Sequence, residues 1–200
     1  LLYINSGDGH FKEMGAQFGL ADDSRTRHAS FLDYNKDGLL DLFLLTQPPN
    51  PGSYSSFFGT ELLQKQYHIK LYKNVGNEQF IEVSTQAGVD LTGFPNGVCV
   101  ADLNNDGWQD IYVANDFYAP DFMFINQQDG TFKNEANNRL GQMSFYAMGV
   151  DIADLDNDGH QDIFTLDMVA EDNFRLKSNM SGMNPDSFWK VVNDGGHYQY

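Results

Sequence analysis

The chain has 200 residues, of which 41% are hydrophobic, and its 28 acidic and 12 basic side chains give a formal net charge of −16. This apolar content can form a buried core, whereas the charge disfavours binding to nucleic acid or to an anionic membrane surface, because both need clustered Lys and Arg. The single cysteine allows no disulfide within the chain, and no apolar run approaches the ~20 residues of a membrane-spanning helix.

In chain order, the apolar runs are short and separated by turns, which predicts β-strands rather than long helices. The segments 41–46, 110–115 and 162–167 are rich in aromatic and branched residues, as strands are. The run 98–102 contains Cys99, which we expect to be a half-buried strand residue. The best-defined unit has predicted strands at 98–102, 110–115, 123–126 and 131–135.

Two motifs recur three times at one spacing. An Asp/Asn/Gly loop is preceded in each unit by an apolar strand that ends in asparagine, and the separation between asparagine and loop is the same every time. A phenylalanine also stands at one fixed position between that asparagine and the loop. The residues concerned are Asn5, Phe11 and Asp33, then Asn74, Phe80 and Asp102, then Asn126, Phe132 and Asp154. Two motifs that keep one offset three times indicate a true repeat of about 50 residues, and four short strands per repeat are typical of a β-propeller blade.

The repeat is interrupted once, because the interval from Asp33 to Asp102 is longer than the interval from Asp102 to Asp154. The extra residues follow the first loop. They lie in the Pro-, Gly- and Ser-rich segment 47–67, a predicted insertion. Its aromatic side chains either form a recognition surface or fold back onto the blade, and the sequence leaves both open. We expect an all-β fold, a partial β-propeller that holds the outer strands of one blade, two whole four-stranded antiparallel blades and the first half of another.

The acidic loops have the chemistry of calcium sites. Each has carboxylate or amide oxygens at positions 1, 3, 5 and 9, a main-chain carbonyl available at position 7 and a glycine at position 6 that permits a sharp turn. Calcium takes six to eight oxygen ligands. The predicted ligands are Asp33, Asn35, Asp37, Leu39 and Asp41 in loop 1 (33–41), Asp102, Asn104, Asp106, Trp108 and Asp110 in loop 2 (102–110), and Asp154, Asp156, Asp158, His160 and Asp162 in loop 3 (154–162).

Other interpretations of the loops are weaker. Ordinary Asp/Gly turns need one acid, whereas two carboxylates about 5 Å apart repel by roughly 3 kcal/mol at an effective dielectric constant of about 20. An EF-hand ends with glutamate at position 12, but Leu44, Val113 and Thr165 stand there. Zinc and iron are disfavoured because the sequence has no Cys/His cluster. The sequence therefore predicts three Ca²⁺ sites on β-hairpins.

These motifs together resemble the FG-GAP or VCBS repeat, which builds the calcium-bearing propellers of integrin α-chains and of many secreted bacterial proteins. Within that family, the chain is most similar to the cartilage-acidic-protein-like branch, known for its ASPIC/UnbV domain. The resemblance covers residues 1–170, and 171–200 are similar to an inter-strand insertion followed by the start of the next strand. It implies an extracellular or cell-envelope location, a role in adhesion or recognition, and no catalysis by the propeller itself. We expect the partner to be a protein or a glycan, and the lack of a long apolar run predicts no membrane insertion.

The competing hypothesis is a polysaccharide-active enzyme, a lyase or glycosidase that uses paired carboxylates. Catalytic acids are needed once and should break the repeat. The acids that do so are Asp116, Asp121, Asp167, Glu171 and Asp172. None of them forms a recognisable set with His or Lys, so the sequence favours a scaffold over an enzyme.

Overall fold

A computed structural model describes residues 1–48, 67–116, 119–144 and 146–168 of the chain. Within these ranges the strands are β1 (Tyr3–Asn5), β2 (Phe11–Glu13), β3 (Thr26–Leu32), β4 (Asp41–Thr46), β5 (Lys70–Asn74), β6 (Phe80–Glu82), β7 (Pro95–Ala101), β8 (Asp110–Asn115), β9 (Phe122–Asn126), β10 (Phe132–Asn134), β11 (Ala147–Ala153) and β12 (Asp162–Asp167), with helices α1 (Ser84–Ala87) and α2 (Ala136–Arg139). Most of the predicted insertion and all of 171–200 lie outside the described residues.

The strands form four antiparallel sheets in the orders β1-β2, β3-β4-β5-β6, β7-β8-β9-β10 and β11-β12. We number these sheets 1 to 4. The two complete sheets share one register, since Leu42 pairs with Tyr72 in sheet 2 and Ile111 pairs with Phe124 in sheet 3. Sheets 2 and 3 have the four strands of a whole blade, and sheets 1 and 4 each have two. This is the arrangement that the repeat predicted.

The first strands of sheets 2, 3 and 4 lie side by side, with β3 against β7 and β7 against β11. The other strands of each sheet follow in sequence order away from this contact, as in consecutive blades of a propeller. The first strand of sheets 2, 3 and 4 has a register shift near its start, where one extra residue bends the strand. The extra residues are Arg27, Asn96 and Met148.

Packing between the sheets explains the burial pattern. All residues of β8 and β9 are buried because sheet 3 is covered on both faces. Since side chains alternate along a strand, Ile111 and Val113 join the core shared with sheet 2, whereas Tyr112 and Ala114 pack towards sheet 4. In β12, by contrast, Phe164 remains 57% exposed.

The predicted strands 41–46, 110–115 and 162–167 are observed with those bounds. The first strand of sheet 3 starts earlier than predicted, at Pro95, and Cys99 is half-buried within it. The helices α1 and α2 were not predicted, because a single four-residue turn is too short to show helical periodicity. No helix in the described ranges is long and apolar enough to cross a membrane.

Candidate metal centre

The three acidic loops have one backbone conformation, although their sequences differ. Positions 4 and 6 adopt positive φ in every loop, and position 4 is never glycine. The φ values are 55° and 84° at Lys36 and Gly38, 57° and 84° at Asn105 and Gly107, and 62° and 88° at Asn157 and Gly159. Because non-glycine residues rarely adopt this region, its recurrence at position 4 shows that each loop folds to one defined shape.

The carboxylate at position 1 holds this shape by accepting backbone N–H groups from within its own loop. In loop 3, Asp154 Oδ1 accepts the N–H of Asp158 at 3.1 Å, and its Oδ2 accepts that of Gly159 at 3.0 Å. Asp33 and Asp102 accept the equivalent bonds in their loops. A carboxylate has about four lone-pair sites, so these bonds leave it acceptor capacity for a cation.

Loop 3 brings three carboxylates together. Asp154, Asp156 and Asp162 each offer an oxygen, and these oxygens lie within 4.8 Å of one another. Calcium binds oxygen at 2.3–2.6 Å, so two ligands on opposite sides of the ion are about 5 Å apart. The three oxygens therefore fit around one calcium ion. In loops 1 and 2 the residue at position 3 is asparagine, which offers an amide oxygen as the ligand instead of a carboxylate oxygen.

The carboxylate at position 9 is fully buried in loops 1 and 2. Asp41 Oδ1 accepts the N–H of Asn74 at 2.8 Å, and its Oδ2 accepts the N–H of Tyr34 at 3.3 Å. Burial raises the pKa of Asp41 to about 6; the two N–H bonds lower it, but the nearby charges of Asp37 and Asp33 add to the rise.

Asp110 in loop 2 repeats this geometry. Its Oδ1 accepts the N–H of Asn126 at 2.8 Å and its Oδ2 accepts the N–H of Leu103 at 2.9 Å, while burial raises its pKa. Among the described residues, neither Asp41 nor Asp110 forms an ion pair with a basic side chain. A buried carboxylate without a cation is costly, and a bound metal would neutralise it.

The recurring asparagine connects loops 1 and 2 to their sheets, through the bonds of Asn74 to Asp41 and of Asn126 to Asp110, a role that the sequence did not reveal. Asn126 Nδ2 donates to the Gln109 carbonyl in loop 2 of its own blade at 3.2 Å. The same nitrogen donates to the Tyr34 carbonyl in loop 1 of the preceding blade at 2.8 Å. The recurring phenylalanine has a similar inter-blade role, since Phe132 packs on Tyr34 with ring centroids 6.0 Å apart. The constant offset in the sequence relates each asparagine to the loop that follows it, whereas the observed bonds run to loops that precede it, so the spacing did not identify this link.

The acids outside the repeat do not form an exposed pair in the described part of the chain. Asp121 is fully buried, and its two oxygens accept the hydroxyl of Tyr112 and the N–H of Asn115, each at 2.7 Å. Burial raises the pKa of Asp121 to about 6.

The structure describes two of the other four candidates. Asp116 is also buried, and Asp167 accepts the Ser144 hydroxyl. The remaining two candidates, Glu171 and Asp172, lie outside the described residues.

Comparison with known proteins points to one family. The sequence model of the family described as "FG-GAP-like repeat" matches residues 1–44, 62–113 and 102–165, and each match ends just after one of the acidic loops. Integrin alpha-3 from Mus musculus and integrin alpha-3 from Cricetulus griseus are each 36% identical to the chain over 81 residues. Each alignment covers 35% of this chain and 8% of the relative, so the chain aligns with less than a tenth of these relatives.

Proposed function

This chain belongs to the FG-GAP-like repeat family, and on that premise we propose that it is a calcium-binding β-propeller segment of a secreted or cell-envelope protein. The propeller is a scaffold for adhesion or recognition, and its partner is a protein or a glycan. Three calcium ions, one in each acidic loop, stabilise the blades.

The observation that carries this proposal is the convergence of Asp154, Asp156 and Asp162 within 4.8 Å. Loops 1 and 2 support it because they repeat the backbone shape of loop 3 and carry oxygen donors at the same positions. The buried, raised-pKa carboxylates at position 9 add a second reason, since they lack a basic partner among the described residues.

The fifteen predicted ligands would hold the ions through oxygen atoms alone, which matches the preference of calcium. When bound, calcium supplies the positive charge that offsets carboxylate repulsion within each loop. If free calcium is about ten times the dissociation constant, each site adds about 1.4 kcal/mol, so three sites add about 4 kcal/mol. Extracellular modules bind calcium with dissociation constants of about 10⁻⁴ to 10⁻³ M, so sites of this strength suit a secreted protein.

Calorimetric titration of the intact, calcium-free protein tests the proposal. The variant Asp37→Ala/Asp106→Ala/Asp158→Ala removes the exposed position-5 ligand from each loop, and we expect it to lose three equivalents of bound calcium. Asp129→Ala is the matched control, because Asp129 is exposed and lies in an Asp-Gly turn outside the three loops. Equal stoichiometry in the triple variant and the wild type would rule out these loops as calcium sites.

The recognition role is tested separately. The insertion 47–67 remains our sequence-based candidate for the partner-binding surface. Its replacement by a short Gly/Ser linker in the intact protein should abolish partner binding without reducing the calcium stoichiometry. Partner binding that survives this replacement would assign recognition to another surface of the propeller.

A further inference from the structure

Position 4 of each acidic loop stands between two predicted calcium ligands, at positions 3 and 5. Its backbone is in the left-handed region, with φ of 55° at Lys36 and 57° at Asn105. Calcium bound at positions 3 and 5 would therefore fix the backbone on both sides of this residue. The side chains of Lys36 and Asn105 extend out of their own loops to the next loop along the chain.

Between loops 1 and 2, the contact is a cation–π interaction. The ammonium group of Lys36 lies 4.3 Å from the centroid of the Trp108 ring, a distance at which such contacts are attractive. Trp108 is position 7 of loop 2, where the carbonyl is the predicted ligand. The backbone N–H of Trp108 donates to Oδ1 of Asp106, another predicted ligand of loop 2, at 2.8 Å. Lys36 therefore contacts a residue that is hydrogen-bonded to a predicted ligand. A further bond joins these loops, because the N–H of Asp33 donates to Gln109 Oε1 at 2.9 Å.

Between loops 2 and 3, the same two positions meet through hydrogen bonds. Asn105 Nδ2 donates to the carbonyl of Gly159 at 3.2 Å and to His160 Nδ1 at 2.7 Å. An amide nitrogen can only donate, so His160 Nδ1 is the acceptor. His160 is position 7 of loop 3, and Gly159 donates its N–H to Asp154, so Asn105 bonds to the backbone that presents the ligands of loop 3.

We propose that the position-4 side chains Lys36 and Asn105 couple neighbouring calcium sites, so that occupancy of one loop raises the affinity of the next. This inference rests on the proposed calcium function. It is supported by a contact that recurs between neighbouring loops, from position 4 of one loop to position 7 of the next. The contact is a cation–π interaction between loops 1 and 2 and a hydrogen bond between loops 2 and 3. Coupling is reciprocal, so either loop of a pair reports it. Charge repulsion between bound ions acts in the opposite direction and is weakened by salt.

Terbium luminescence in the intact protein can isolate one of these sites. Terbium binds oxygen ligands as calcium does, and its emission is sensitised by a nearby tryptophan, which Trp108 provides in loop 2. The loop 2 signal is the part of the emission that Asp106→Ala removes. We would measure its terbium affinity at a fixed, near-physiological salt concentration with loop 3 intact and with loop 3 disabled by Asp158→Ala.

Two glycine substitutions then test whether Asn105 carries the coupling. Asn105→Gly removes the side chain and suits a φ of 57°. Asn157→Gly is the matched control, because Asn157 occupies position 4 of loop 3 and has no contact with a further loop among the described residues. We expect Asp158→Ala to weaken terbium binding in loop 2 at least fivefold in the wild type and in Asn157→Gly, and less than twofold in Asn105→Gly.

The outcomes separate this inference from the proposed function. Absence of tryptophan-sensitised terbium binding that calcium displaces would contradict the calcium sites themselves. Binding that is present but insensitive to Asp158→Ala in the wild type would overturn the coupling and leave the sites in place. The same fivefold effect in Asn105→Gly as in the wild type would also overturn it, because the coupling would not pass through Asn105.

Discussion

The backbone N–H of Asn74 donates to Asp41 Oδ1 across 2.8 Å. This bond joins the two motifs of the repeat, the end of the third strand and position 9 of the acidic loop, within one sheet. Asn126 and Asp110 form the same bond in the next sheet. Position 9 therefore has a structural role in addition to its predicted role as a calcium ligand, and the two roles can be separated by experiment.

Asp110→Ala and Asp106→Ala should differ in how their effects depend on calcium. Asp110→Ala leaves the buried N–H of Asn126 and that of Leu103 without their acceptor, so we expect a loss of about 2 kcal/mol even in chelator. Asp106 is exposed, so Asp106→Ala should be near neutral in chelator and should lose only the contribution of calcium, about 1.4 kcal/mol. Urea unfolding of both variants, with calcium and with chelator, measures this difference. Equal losses in chelator would contradict a structural role for position 9.

Gly19→Ala should destabilise the interface between sheets 1 and 2. Gly19 has a φ of 76°, and a Cβ there would lie 2.7 Å from the carbonyl oxygen of Phe80 in the adjacent sheet. Left-handed backbone strain and this close approach should together cost about 2–3 kcal/mol. Gly141→Ala is the control, because Gly141 has ordinary φ and open space around it. Thermal unfolding should show a lower midpoint for Gly19→Ala and an unchanged or higher one for Gly141→Ala.

Asp121 should give the protein a pH dependence between about pH 4 and 6. Its folded-state pKa, about 6, is above the ordinary value because of burial. Its contribution to stability is therefore fully present below about pH 4, the unfolded pKa, and is lost as the pH rises through 6. Asp121→Asn cannot ionise, so its unfolding free energy relative to the wild type should rise by about 2 kcal/mol from pH 4.5 to 7.5.

The comparison of Asp121→Asn with the wild type is best made by urea unfolding in chelator, so that calcium binding does not change with pH. The other titrating groups are shared by the two proteins and largely cancel in the difference; Asp167 is the exception, because its charge contributes to the raised pKa of Asp121. A difference that stays constant over this pH range would show that Asp121 has an ordinary pKa in the folded protein.

Lys70→Met should expose the cost of a buried unpaired carboxylate. Asp22 is paired with Lys70 and accepts the hydroxyl of Tyr72 at 2.7 Å. Burial raises the pKa of Asp22, but the bonds from Lys70, Ser24 and Tyr72 outweigh it and hold the pKa well below its usual range. The stability from this pair is present above about pH 4 and is lost as the pH falls. At pH 7 we expect Lys70→Met to cost about 3 kcal/mol.

Lys133→Met is the matched control for this prediction. Lys133 also forms an ion pair, with Glu135, but its side chain is 60% exposed. Exposed pairs contribute little because solvent screens them, so this variant should unfold close to the wild-type midpoint. Equal destabilisation by both substitutions would mean that burial of the Lys70–Asp22 pair is unimportant.

Local sequence was sufficient to predict the turn of each loop and the strand that leaves it. Each loop turns at a glycine (Gly38, Gly107 or Gly159), and this short-range pattern was enough to predict the turn. The calcium chemistry of the loops stays a prediction. The strand segments were recognisable because their aromatic and branched residues are contiguous. The helices α1 and α2 escaped prediction because a single turn has no periodicity to detect, and the start of β7 was misplaced because its bulge interrupts the alternation.

The sequence by itself determined that the chain is a repeat, that its units are short antiparallel strands, and that oxygen donors recur at calcium-ligand spacing in three loops. These properties follow from backbone geometry and side-chain chemistry within a single loop or strand. Only the tertiary structure decided which of those donors are buried, that Asn74 meets Asp41, and that Asn105 reaches loop 3. Such facts depend on segments that are far apart in the chain, and their contact is set by the packing of whole strands and sheets against one another.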